Sequence, residues 1–101
     1  MMYKVQGKRT DGKLRLFLNG SEVTPSHSQK VWNHSPTGFN AGYGGSGPAQ
    51  SALAILLKIT DKDTAVREHQ PFKWEFLTKP EYLNSDFEFE FDFEEWIKAH
   101  A

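Results

Sequence analysis

The residues best suited to chemistry lie in one run: His34-Ser35-Pro36-Thr37-Gly38-Phe39, then Gly42-Tyr43-Gly44-Gly45-Ser46-Gly47-Pro48-Ala49-Gln50. Its glycines, at 38, 42, 44, 45 and 47, let a backbone approach a bound group closely. Pro48 suits the first position of a helix, where its missing N–H is not needed, with Gly47 or Ser46 as N-cap. If Gly47 is the cap, Gln50 stands where a capping-box side chain would return a hydrogen bond. A helix start presents unpaired N–H groups and the positive end of the helix dipole. The ligand this pattern suits is a small anion, a nucleotide included. The candidate ligand-binding residues are His34, Ser35, Tyr43, Gly44, Gly45, Ser46, Gly47 and Gln50, and Tyr43 or Phe39 could stack on a base. The competing explanation is that the glycines only let the loop pack tightly over the helix.

Catalysis is less well supported. Gly44-Gly45-Ser46-Gly47-Pro48 has the outline of a nucleophile elbow, but its fifth residue is proline and no apolar strand leads into it. His34 could serve as base and Asp61 or Asp63 could orient it, yet a triad is defined by geometry rather than by order along a chain. The loop is neither a Walker A sequence nor a dinucleotide fingerprint. The four histidines lack zinc-like spacing, and no cysteine is present. A non-enzymatic domain without metal or cofactor is the expectation.

A second constellation is Asp86-Phe87-Glu88-Phe89-Glu90-Phe91-Asp92-Phe93. Along a strand its carboxylates would stand roughly 7 Å apart on one face. Asp86, Glu88 and Glu90 are the candidate protein-binding residues, suited to a basic partner. The plainer alternative is a solvated acidic face. Residues 1–80 hold eleven Lys/Arg and six Asp/Glu, whereas residues 81–101 hold one and seven. That asymmetry suits either an internal match or two oppositely charged surfaces. Direct nucleic-acid binding is disfavoured, because the basic residues are scattered and Trp32 and Trp74 fall on core-like patterns.

The elements that must position these groups follow from periodicity. Tyr3–Lys8 and Leu14–Leu18 read as strands joined at Asp11-Gly12, and Asn19-Gly20 leads to a third near Ser21–Thr24. Lys30–His34 reads as another. The helix from Pro48 to about Ile59 is apolar nearly all round and is therefore expected at the centre. Asp61 or Asp63 should cap a shorter helix through about His69, which Pro71 ends. Phe72–Leu77 then reads as a strand with Phe72, Trp74 and Phe76 inward. Asp86–Phe93 opens as a strand, and Asp92 with Glu95 marks a terminal helix from Phe93. The expected fold is a single α+β domain over residues 1–101, with an antiparallel sheet on a central buried helix and a short C-terminal helix. One hundred and one residues, 38% of them hydrophobic, suit one core. The lack of cysteine and of any long apolar run points to a cytoplasmic protein with no membrane partner.

The run from His34 to Gln50, with Ala52-Leu53-Ala54-Ile55-Leu56 after it, resembles the signature of a small prokaryotic family. That family occurs in bacteria, phages and mobile elements and is known only as a domain of unknown function. His69-Gln70-Pro71-Phe72-Lys73 resembles its second motif, and the helix with Trp96 and Ile97 its third. Asn40-Ala41 stands where the family's pattern has an acidic-aromatic pair. The resemblance implies a fold and a phage or bacterial setting, in which binding a small anion, or inhibiting a basic host protein, are the two expected functions.

Overall fold

The computed structural model describes residues 1–100. Three strands open the chain: β1 (Met2–Thr10), β2 (Lys13–Leu18) and β3 (Ser21–Val23). Both connections are two-residue turns with positive φ at each position, 51° and 77° at Asp11-Gly12 and 50° and 86° at Asn19-Gly20. Such turns match the natural twist of paired strands, and Asn, Asp and Gly tolerate them best. Three helices follow, α1 (Ser26–Val31), α2 (Ser46–Ile59) and α3 (Lys62–Phe76), then β4 (Phe87–Asp92) and α4 (Phe93–His100). The sheet order is β3-β2-β1-β4 with every pairing antiparallel. The last strand thus lies against the first, with Tyr3 opposite Phe91, Val5 opposite Phe89 and Gly7 opposite Phe87.

Helix α2 is the centre of the core, as its apolar circumference requires: residues 47 to 56 are all buried. Leu53, Ile55 and Leu56 share one hydrophobic cluster with Val5, Leu16 and Phe91 from the sheet. Helix α3 brings Phe72 and Phe76 against β4, where ring centroids lie 5.0 Å apart for Phe72–Phe91 and 5.2 Å for Phe76–Phe89. Trp96 of α4 closes this group, 5.4 Å from Phe72. The α+β class, the antiparallel sheet, the central helix and the C-terminal helix all agree with the sequence pattern.

Two segments differ from it. Lys30–His34 is not a strand; Ser26–Val31 forms α1, and only Trp32 beyond it is extended. The segment has no neighbouring strand to pair with, whereas the α1 turn lets Ser28 Oγ donate to Pro25 O and lets Trp32 N donate to Ser28 O. The larger difference is α3, which continues through Pro71 to Phe76. An interior proline removes one helix hydrogen bond at a cost of about 3 kcal/mol. Pro71 sits on the exposed side, and carrying the helix onward buries Phe72 completely. Phe72 and Phe76 are four apart, a spacing that satisfies both a strand and a helix. Trp74 distinguishes them, since a strand would have turned it inward and it is 61% exposed.

Candidate functional site

The segment between α1 and α2 has little regular structure, yet the helix beneath it holds it in place. Gln50, fully buried on α2, accepts through Oε1 from the backbone N–H of His34 (2.7 Å) and of Ser35 (3.0 Å). Its Nε2 donates to Ser28 Oγ (2.8 Å) and to the Trp32 carbonyl (3.1 Å). Next along α2, Ser51 Oγ lies 2.7 Å from the Asn40 carbonyl and accepts from Asn40 N at 3.2 Å. From the sheet, Arg9 donates to Asn40 Oδ1 (2.9 Å) and to the Tyr82 carbonyl (2.7 Å). Gly42, at φ +97°, donates to the Leu77 carbonyl (2.8 Å), and a Cβ there would stand 2.5 Å from the Leu83 nitrogen. Gln50 therefore does not form the capping box its spacing suggests. The N-cap of α2 is Gly45, and no side chain caps it. Helix α2 begins at Ser46, two residues before Pro48.

Helix α3 supplies the other wall. His69, 1% exposed, directs Nδ1 at the Val66 carbonyl (2.6 Å), which places its ring proton there in the neutral form. Its Nε2 is then the acceptor facing His34 Nε2 at 3.0 Å, so His34 donates. Burial holds both imidazoles below the usual histidine pKa, and His34 is lowered further by His69 and by the Lys73 charge. One turn after His69, Lys73 is buried, donates Nζ to the Gly44 carbonyl (3.1 Å) and lies 4.4 Å from the Trp74 ring centre. Burial lowers its pKa too, and among the described residues no carboxylate pairs with it.

Aromatic rings rim this polar centre. Trp32 stacks on His34 at 4.3 Å between centroids. Trp74 lies so close over Gly44 that a Cβ there would come within 2.3 Å of its ring. Tyr43 folds back over the start of α2, its ring 2.5 Å from where a Cβ on Gly45 would sit and its hydroxyl 2.8 Å from one on Gly47. Trp32, Tyr43 and Trp74 are 48%, 41% and 61% exposed, three of the six exposed large apolar residues among the described residues, and all three border this loop. Such grouping of Trp and Tyr is typical of recognition surfaces.

Of the expected ligand-binding residues, Tyr43, Gly44, Gly45 and Ser46 lie together at the exposed end of this loop. Gly47 is buried behind Tyr43, and Ser35 and Gln50 are buried within the loop's support. His34 belongs to the histidine pair. No triad forms: Asp61 caps α3 by accepting from Thr64 N (2.8 Å) and Thr64 Oγ1 (3.0 Å), while His34 is engaged by His69. Among the described residues, no group of three or more His, Asp or Glu could hold a metal ion. The residues that composition could not single out are His69, Lys73 and Trp74. Their signal was the four-residue spacing of 69 and 73, hidden by assigning Phe72–Leu77 to a strand.

The acidic row is largely answered from within. Asp86 Oδ1 accepts from Arg9 N (2.7 Å), and Glu88 meets Lys4 Nζ (3.4 Å) and Gln6 Nε2 (3.2 Å) on β1. Glu88 and Glu90 share the exposed face of β4, opposite Gln6 and Lys4, while Phe87 and Phe91 are buried and Phe89 half-buried. Among the described residues, no helix is long and apolar enough to cross a membrane.

The chain belongs to a family of unknown function, DUF6166, whose model matches residues 5–99. No curated protein and no solved structure matches it significantly.

Proposed function

We propose that this family member is a non-enzymatic binding domain that accepts a small anionic ligand, in its fullest form a nucleotide, at residues 43–46 and the start of α2. The carrying observation is Lys73: a largely buried lysine whose ammonium donates to a neutral carbonyl of the loop and, among the described residues, forms no ion pair with a carboxylate. A buried cation without a counter-charge is costly, and an anion at the loop would relieve that cost. The uncapped helix start adds N–H donors and dipole of the same sign. The exposed rings of Trp74, beside Lys73, and of Tyr43, over the start of α2, offer a planar base surfaces on which to stack. The depressed pKa values keep the neighbouring imidazoles neutral near pH 7, so Lys73 is the charge that selects the ligand.

The test is a thermal-shift series with inorganic phosphate, ADP and a cyclic dinucleotide. A ligand bound only by the folded state at a hundred times its Kd adds about 2.7 kcal/mol of stability. The melting temperature of the wild type should rise with ADP more than with phosphate, and Lys73→Gln should abolish both shifts. Gly45→Val, whose side chain meets Tyr43 rather than the core, should abolish them while leaving the fold intact. If no anion at millimolar concentration moves the melting temperature, the loop is a packing device and the proposal fails.

A further inference from the structure

Strand β4 is an edge of the sheet, with β1 on one side. Beyond that pairing, no backbone-to-backbone hydrogen bond outside the helices reaches residues 87–91 from any described residue, and Asp92 leads directly into the first turn of α4. The other side of β4 therefore offers a row of N–H and C=O groups to a further strand. Such an edge is a template for strand addition unless something covers it. Beyond it lies a groove of about 220 Å3, with Phe76 and Trp96 among its apolar walls and Glu90 and Glu95 among its carboxylates. Apolar floor and acidic rim occur together here, in a part of the chain, residues 81–101, that holds seven Asp/Glu and one lysine.

We infer that the open edge of β4, with the groove between it and α4, is a docking site for an extended basic segment of another protein, which adds as a fifth strand. Strand β1 already displays the chemistry that β4 accepts. It sets Lys4 against Glu90 and Gln6 against Glu88 on the outer face, and turns Tyr3 and Val5 inward against Phe91 and Phe89. A partner repeating that alternation, basic outward and apolar inward, would extend the cross-strand charge pattern and lay its apolar residues over Phe76 and half-buried Phe89. A second copy of β4 is excluded by the same chemistry. Any antiparallel register that keeps the two phenylalanine faces together places glutamate against glutamate.

This site stands apart from the loop and does not depend on the anion-binding reading. The probe is a capped nine-residue peptide alternating lysine and valine, titrated into the whole protein by two-dimensional NMR and calorimetry. Amide shifts should concentrate in residues 87–92 and around Trp96, and the affinity should weaken at least tenfold between 50 and 300 mM salt. Glu90→Lys with Glu95→Lys should weaken it at least tenfold with the protein's spectrum otherwise preserved. The same peptide N-methylated at alternate residues, still fully charged, should bind at least tenfold more weakly. Equal binding of the methylated peptide would overturn strand addition, as would shifts centred on any other element. A concentration-dependent dimer with protection confined to β4 would show the occupant to be a second copy and overturn the assignment.

Discussion

The loop over α2 and the outer face of the sheet are both rich in polar groups, but they meet opposite constraints. On the sheet, Lys4 and Gln6 pair with Glu88 beside water, and any one of them can be replaced by hydration. At the loop, Gln50, Ser51 and His69 are sealed from water, and the groups they satisfy are mainly backbone atoms. A side-chain partner can be mutated along with its mate, but a backbone N–H cannot. The same hydrogen bond is therefore nearly dispensable on one face and structural on the other.

The sharpest way to break this comparison is Gln50→Leu. The change keeps volume and removes the acceptor of the Ser35 N–H and one of two acceptors of the His34 N–H, whose other is the Trp32 carbonyl at 3.1 Å. With a buried unsatisfied group costing about 1–3 kcal/mol, the loss should fall in that range, the lower part of what Leu56→Ala would cost in the core. Urea denaturation measures it. A midpoint within error of the wild type would mean that water reaches the loop's underside and that the two regions do not differ.

Much of this was legible before any coordinates. The two hairpin turns, the central helix, the Asp61 cap, and the entry into α4 at Phe93 all follow from local residue types. Local chemistry decides those features. The histidine pair was not legible, because its members sit 35 residues apart and meet only if α3 passes through Pro71. Whether a proline is tolerated depends on what lies beyond it, and the aromatic cluster that rewards the longer helix involves β4 and α4. Its spacing marks Gln50 as a capping-box residue, and it caps nothing. Its partners are the loop's amides because Gly45, not Gly47, starts the helix.

A second expectation, of intermediate size, is pH dependence. Burial lowers the pKa of His34 and His69 in the folded state, and Lys73 faces both. A lowered histidine pKa means that the unfolded chain binds more protons between the two values. Stability from this pair is thus complete above the unfolded value of about 6.5 and falls as pH drops below it. Asp61, held down by its hydrogen bonds from Thr64, shifts stability in a separate and more acidic window, below the usual aspartate pKa. Melting temperatures from pH 8 to 5.5 should fall in the wild type and fall less in His34→Gln/His69→Gln. A parallel slope in the double variant would place the titrating groups elsewhere.

The smallest expected effect is on the sheet. Glu88→Gln loses the ion pair to Lys4 but keeps an acceptor for Gln6 Nε2. Exposed pairs contribute on the order of 0–1 kcal/mol, and salt screens them. The change should shift the urea midpoint slightly at low salt and not at all at 1 M. A loss persisting at high salt would show that the outer face is held more like the loop than like a surface.

One feature of the sheet governs how the chain can be made. Met2 pairs with Asp92, so β1 leaves the ribosome some ninety residues before the strand it pairs with. Loop closure over most of the chain is slow, and contact order is correspondingly high. Until β4 emerges, the β1 edge it will occupy is unpaired, with Tyr3 and Val5 uncovered by Phe91 and Phe89. Lys4 and Lys8 on that edge are charges of one sign, which discourage two nascent chains from joining there. The acidic strand, made after the other three of its sheet, is thus also the piece that closes this edge to neighbouring chains during synthesis.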